Sequence, residues 1–204
     1  MDRIILASAS PRRAELLRAA GIEFDVMPAN ADETVHAGET PETYVRRVAE
    51  AKARAIADRA GIRLVLAADT TVVVGGAMLA KPADDEDAKR MLRLLSGRAH
   101  DVLTALSLFR GPAPPSPQGG FGEPRGSAPL ETRIERTTVE FVPLTEDEIG
   151  WYVATGEPHD KAGAYAIQGY ASRFIARISG SYSNVVGLPV STLFQMFKEA
   201  GFRP

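Results

Sequence analysis

Apolar residues along the chain change spacing from segment to segment, and the changes mark the elements. RIILAS (3–8) is an almost unbroken apolar run and reads as a buried strand. It turns into a helix at 11–20, with Ser10 placed to cap, Pro11 at the first helical position and Gly21 as the stop. FDVMP (24–28) alternates like a strand and runs into the polar loop ANADETV. A helix over about 41–59 opens on Thr40-Pro41, and RLVLAAD (63–69) is a continuous apolar strand. The hairpin TVVVGGAMLAK follows, with its turn at Gly75-Gly76. Asp84 can cap a helix at 85–95 that Gly97 ends. HDVLTALSLF (100–109) and TRIERTTVEFVPL (132–144) are long β-rich segments expected to be antiparallel neighbours. Thr145 and Glu148 form a capping-box pattern for a helix at 146–155. A strand-like SRFIARI, the loop SGSYSNVVGLP and an amphipathic helix at about 190–200 complete the chain. Strands alternate with helices early and run together in the middle, which predicts a mixed α/β fold with a cleft.

Between the two β-rich segments lies 111–129, with 11 of the 32 Gly and Pro residues, so it is expected to be a loop rather than a packed element. The 204 residues can bury a substantial core, and 25% charged against 45% hydrophobic residues is ordinary for a globular protein. With 24 basic and 26 acidic residues the net charge is −2, which gives no general affinity for a nucleic acid polymer or an anionic membrane. Any anion site must be local. The absence of cysteine excludes disulfides, thiolate metal sites and a cysteine nucleophile. No apolar run reaches the ~18 residues of a membrane span, and the expected location is the cytoplasm.

Arg12 and Arg13 fall in the first turn of the first predicted helix, at the positive end of its dipole, where each cation is disfavoured by roughly 0.3–1 kcal/mol. Two readings are open. Either both point to solvent or pair with an acid such as Glu15, or an anion at the helix start makes both of them ligands. Ser8 and Ser10 would add hydroxyl donors, and the G-x-x-x-x-G-K-[ST] loop is absent. Asp69 stands at the carboxyl end of an apolar strand expected to be central, where open α/β sheets place ligands, and partial desolvation would suit it to act as a base. The plainer alternative is an Asp that caps a turn. Lys52 lies in the apolar stripe Val45, Val48, Ile56, so it either snorkels to a rim or faces a site at the edge of the core. Lys81, before Pro82, is another fixed cation. Asp32 and Glu33 either bind a metal or are solvated, and Gln168 in AIQG either reads a base edge or closes a turn. His36, His100 and His159 show no zinc-ligand spacing and no nucleophile partner, and read as surface or strand residues.

LASASPRRAELL, ADETV, YVRRVAEAKARA, AADTTVVV, LAKP, MLRLLSGRAHDVLTAL, DKAGAYAIQG and GSYSNVVGLP occur in that order. Together they resemble the Maf family of nucleotide pyrophosphatases, over nearly the whole chain except 111–129. The resemblance implies one domain over 1–204: a mixed α/β fold with an elongated twisted sheet in two lobes, flanked by helices, and a nucleotide-binding cleft between the lobes. Carried over position by position, it implies Asp69 as proton acceptor and Ser8, Arg12, Arg13, Glu33, Lys52, Lys81 and Gln168 as substrate-binding residues. Arg12, Thr70 and Gln168 match the positions that separate branches of the family. Pro-Arg-Arg, Asp-Thr and Ile-Gln-Gly, as here, resemble the dTTP/UTP branch. The branch acting on 7-methyl-GTP tends to carry an aromatic residue, Gln and Glu instead.

The implied reaction is hydrolysis of dTTP or UTP, with CTP and modified pyrimidine nucleotides as further candidates, to the monophosphate and pyrophosphate. The implied cofactor is a divalent cation, Mg²⁺ or Mn²⁺, with Glu33 and Asp69 as candidate ligands. The expected partner is a nucleoside triphosphate, and a homodimer is an open question. Two rival readings stand: the 7-methyl-GTP branch, and a nucleotide-binding regulator of septum formation. A carboxylate base retained among four cations favours an enzyme, because binding alone needs no base. The insertion at 111–129 departs from the family's short connection and is expected to leave the site intact.

Overall fold

The computed structural model describes residues 3–61, 63–111 and 128–203. Most of the 111–129 insertion, and with it the expectation of a loop there, lies outside the described residues. The predicted alternation appears as β1 (Ile4–Leu6), α1 (Pro11–Ala19), β2 (Phe24–Val26), α2 (Pro41–Ala57) and β3 (Leu64–Val74). After these come β4 (Ala77–Leu79), α3 (Asp85–Leu95), β5 (Ala99–Arg110), β6 (Ala128–Phe141) and α4 (Glu146–Ala154). β7 (Ile175–Ser179), α5 (Tyr182–Val186) and α6 (Val190–Glu199) end the chain. The seven strands form one mixed sheet in the order β2-β1-β3-β5-β6-β7, with β4 paired to β3.

The chain divides into two units. The first comprises 1–69, 105–134 and 187–204. Here β1 pairs in parallel with both β2 and β3, so consecutive strands are joined through helices. Successive residues of a strand point to opposite faces, and the core divides accordingly. Ile4, Leu6, Leu64 and Leu66 pack with Leu17 of α1 and Leu193 and Phe197 of α6. Ile5, Ala7, Val65 and Ala67 pack instead with Ala53 and Ile56 of α2. Chain order reverses at β1, with β2 on one side and β3 on the other; open α/β sheets bind ligands past the carboxyl ends of the strands at such a point, here those of β1 and the adjoining part of β3.

The second unit comprises 70–104 and 135–186. β3 and β4 form the expected hairpin, Val74 opposite Ala77, across Gly75 and Gly76, both at positive φ. Asp84 accepts the Asp87 N–H as the cap of α3. Thr145 and Glu148 make both bonds of the capping box that starts α4. His100 is buried edge-on against Phe141 and Tyr165, with Nε2 2.9 Å from the Tyr165 hydroxyl, and burial pushes its pKa down to about 4. It is a neutral core residue. Among the described residues no helix is long and apolar enough to cross a membrane.

Four local expectations change. Ser10 flanks α1 but its side chain makes no capping bond; its N–H donates to Ser8 Oγ instead. The strand expected at 63–69 continues to Val74, so Asp69 is interior to β3, although it lies beyond the part paired with β1. SRFIARI begins as a 3₁₀ turn, Tyr170–Phe174, before β7. The loop SGSYSNVVGLP contains the short helix α5.

Candidate functional site

Asp69 continues the face of β3 that Val65 and Ala67 present to α2, and Lys52 stands one helical turn before Ile56 on that helix. Those two registers bring the side chains together. Lys52 Nζ donates to Asp69 Oδ1 at 2.8 Å and meets Glu33 Oε1 at 2.6 Å. The Lys52 and Asp69 side chains are 9% and 8% exposed, whereas Glu33 is 45% exposed. Lys52 therefore faces a site and does not snorkel. Asp69 Oδ2 is buried with no hydrogen-bond partner among the described residues. Burial pushes the Asp69 carboxyl above its ordinary 3.8; Lys52 and Arg13 draw it back, and the neighbouring Glu33 charge adds to the rise.

Arg13, half-buried in the first turn of α1, donates from Nε to Gly187 O at 2.8 Å and from Nη1 to Ser8 Oγ at 3.1 Å. Burial lowers its pKa; the charges of Asp69 and Glu33 oppose that change and Arg12 adds to it. Arg13, Arg12, Asp69 and Glu33 thus form one electrostatic neighbourhood at a helix N-terminus that has no side-chain cap and no acidic residue in its first turn. Such an end offers backbone N–H groups and a positive dipole to an anion.

The loop carrying Glu33 is held by residues that the sequence did not single out. Tyr44 OH donates to Glu33 O at 3.1 Å. Arg47 donates to Asp32 O and Thr34 O and forms a bidentate pair with Glu39. Asp32 turns to local partners, the Thr34 N–H at 2.9 Å and the His36 ring at 3.3 Å, which hold its pKa down to about 2. Of the two adjacent acids, only Glu33 reaches Lys52. The one available signal was Tyr44 at the start of the apolar stripe of α2.

In the second unit, Thr70 Oγ1 lies 3.0 Å from Thr104 Oγ1, which donates to Asn184 O at 3.1 Å. Lys81 is exposed just after β4, where Ala80 O accepts from Gly163 N. Gln168 is exposed in a turn closed by Gly169 N–H donating to Ala166 O at 3.1 Å. His36 and His159 are exposed and lie against Asp32 and Asp85.

Among the described residues, no group of three or more His, Asp or Glu side chains could hold a metal unaided. The pair Glu33 and Asp69, with the orphaned Oδ2, presents hard oxygen donors of the type that Mg²⁺ and Mn²⁺ accept.

A family model described as Maf-like protein matches residues 3–200. A protein of Anaeromyxobacter sp. (strain Fw109-5) named dTTP/UTP pyrophosphatase is 51% identical over 199 residues, covering 98% of this chain and 90% of that protein. One of the same name from Syntrophus aciditrophicus (strain SB) is 44% identical over 200 residues, covering 98% and 91%. Among solved structures, a HAM1 protein from Coxiella burnetii matches with a TM-score of 0.51 at 18% identity, over 98% of this chain and 100% of that one. That last likeness concerns the fold alone.

Proposed function

The chain belongs to the Maf-like protein family, and from that premise we propose that it is a nucleoside triphosphate pyrophosphatase that hydrolyses dTTP and UTP to the monophosphate and pyrophosphate. The observation that carries the reading is the state of Asp69: buried, with Oδ1 held by Lys52, Oδ2 unpartnered among the described residues, and Arg13 close enough to act on its charge. A water hydrogen-bonded to the Asp69 carboxylate gives its proton to it as the water oxygen bonds to the α-phosphorus. The bond from that phosphorus to the α–β bridging oxygen breaks, and pyrophosphate leaves with the electron pair. Lys52 keeps the carboxylate oriented. Arg12, Arg13 and the N–H groups of α1 offset charge on the phosphate oxygens, which is most of what phosphoryl transfer asks of a protein. Ser8 orients Arg13, and the family resemblance assigns Lys81 to the phosphates as well.

Glu33 would hold the divalent cation; were Asp69 to bind it as well, its part would become that of positioning the water rather than accepting a proton unaided. Among the described residues the site offers few carboxylates, which would suit an ion that keeps several waters, the usual habit of Mg²⁺. Such an ion supplies positive charge at the phosphate oxygens. A nucleotide-pool substrate supports the cytoplasm as the proposed location of the activity.

Base choice follows from Gln168, which offers a donor and an acceptor, as a pyrimidine edge with its carbonyl and N3–H requires. Gln168 is exposed, so discrimination requires that the bound base cover it: a wrong base then leaves its amide groups both desolvated and unpaired. The test is kcat/KM for dTTP, UTP and 7-methyl-GTP by pyrophosphate detection, with and without Mg²⁺ or Mn²⁺. Wild type is expected to prefer dTTP and UTP and to need the metal. Gln168→Glu is expected to lower kcat/KM for the pyrimidines by roughly 1–3 kcal/mol. A wild-type preference for 7-methyl-GTP would refute the branch assignment, and an unchanged Gln168→Glu enzyme would remove Gln168 from base recognition.

A further inference from the structure

Gln168 is exposed, so packing does not aim its side chain; the backbone on which it stands must. That backbone is tied down on both flanks by the same pair of side chains. Before the turn, Ala166 N–H donates to the Tyr152 hydroxyl at 3.2 Å. After it, Tyr170 N–H donates to Glu157 Oε2 at 2.9 Å and Ala171 N–H to Glu157 Oε1 at 3.3 Å. Tyr152 OH donates to Glu157 Oε1 at 2.8 Å, which joins the two flanks through one carboxylate. We propose that Glu157 is the positioning residue for Gln168 and thereby a determinant of base choice. This inference rests on the reading of Gln168 as the residue that meets the base.

Three further observations fit that role. Gly169 follows Gln168, and a Cβ there would lie 2.0 Å from Glu157 Oε2, so a side chain at 169 would expel the carboxylate from its place against the turn. Tyr152, fully buried, projects from α4, whose start is fixed by the capping box. Glu157 is itself held, since Lys161 Nζ donates to its carbonyl at 2.8 Å. An ionised carboxylate only accepts, and here three donors converge on its two oxygens. Glutamine keeps the shape but turns one of those oxygens into an NH₂ that faces an N–H or O–H donor.

The experiment measures kcat and KM of the full chain for dTTP and GTP, for wild type, Glu157→Gln, Gln168→Ala and the double variant, with thermal unfolding of each. Glu157→Gln is expected to lower the dTTP-to-GTP ratio of kcat/KM by about tenfold, chiefly through KM for dTTP. The double variant is expected to show no lower ratio than Gln168→Ala alone, because both changes act through one contact. Should Glu157→Gln not fold, Tyr152→Phe, which removes a single hydroxyl, is expected to lower the ratio in the same direction. A fallen ratio in Gln168→Ala beside an unchanged ratio in Glu157→Gln, with both nucleotides slowed equally, overturns the positioning role and leaves base reading by Gln168 standing. An unchanged ratio in Gln168→Ala overturns that base reading, and this inference with it.

Discussion

Asp69→Asn is expected to lower kcat by about 10²–10⁴-fold, the usual cost of losing a general base, while nucleotide binding persists. The amide keeps the shape of the side chain, and its carbonyl can still accept from Lys52 in place of Oδ1. It cannot take a proton from water. In the metal-free protein burial pushes the wild-type carboxyl above 3.8, so it should protonate at higher pH than an exposed aspartate would, and the rate should fall as the pH drops through the carboxyl's pKa. The variant's residual rate should lack this limb. For the fold the sign is reversed. A carboxyl that ionises less readily folded than unfolded withdraws stability as the pH rises from 3.8 through the raised value, and Asn removes that decline. Single-turnover and steady-state rates over a pH series, with nucleotide binding measured separately, check both parts. A kcat near wild type would take Asp69 out of the reaction.

Lys52→Met is expected to destabilise the protein by about 3 kcal/mol and to slow turnover, because it breaks a buried pair from one side. Met replaces the stem but leaves Asp69 Oδ1 without its donor, in a carboxylate whose other oxygen is already unpartnered among the described residues. Loss of the Glu33 contact adds little, since that side chain is 45% exposed and water can solvate it. The cost therefore arises at Asp69, which makes it separable. With Asn at 69 no charge is stranded, so Lys52→Met/Asp69→Asn is expected to be more stable than Lys52→Met alone. Urea unfolding of the two single variants and the double measures the coupling. A Lys52→Met protein within about 1 kcal/mol of wild type, the range of an exposed pair, would show that the ion pair is effectively solvated. Additive effects would show that the two side chains do not act on one another.

Legibility in the sequence followed the range of the interactions concerned. Thr40, Asp84 and the Thr145–Glu148 pair each bond to a backbone N–H three residues on, so their helix starts could be read from neighbouring letters. The period-2 and period-3.6 runs marked β1, α2 and β3 for the same reason, and eight motifs in order carried the family. Ser10 shows the limit within a single turn: it has a capping residue's type and position, yet its N–H goes to Ser8 and its side chain makes no cap.

The fate of buried charge lay outside that range. Lys52 has an apolar stripe around it whether it snorkels or not; its direction was decided by Asp69, 17 residues away on a strand that packs against α2. Asp32 and Glu33 are adjacent acids in one loop, and only packing against Tyr44 and Arg47 sends one to its own turn and the other to Lys52. Glu157 reads as an ordinary acid after a helix, and its partners lie up to 14 residues further on. Side-chain period and helix caps are properties of a few consecutive residues. A desolvated charge takes whatever partner the fold brings within about 3 Å, and that partner is chosen by the packing of distant segments.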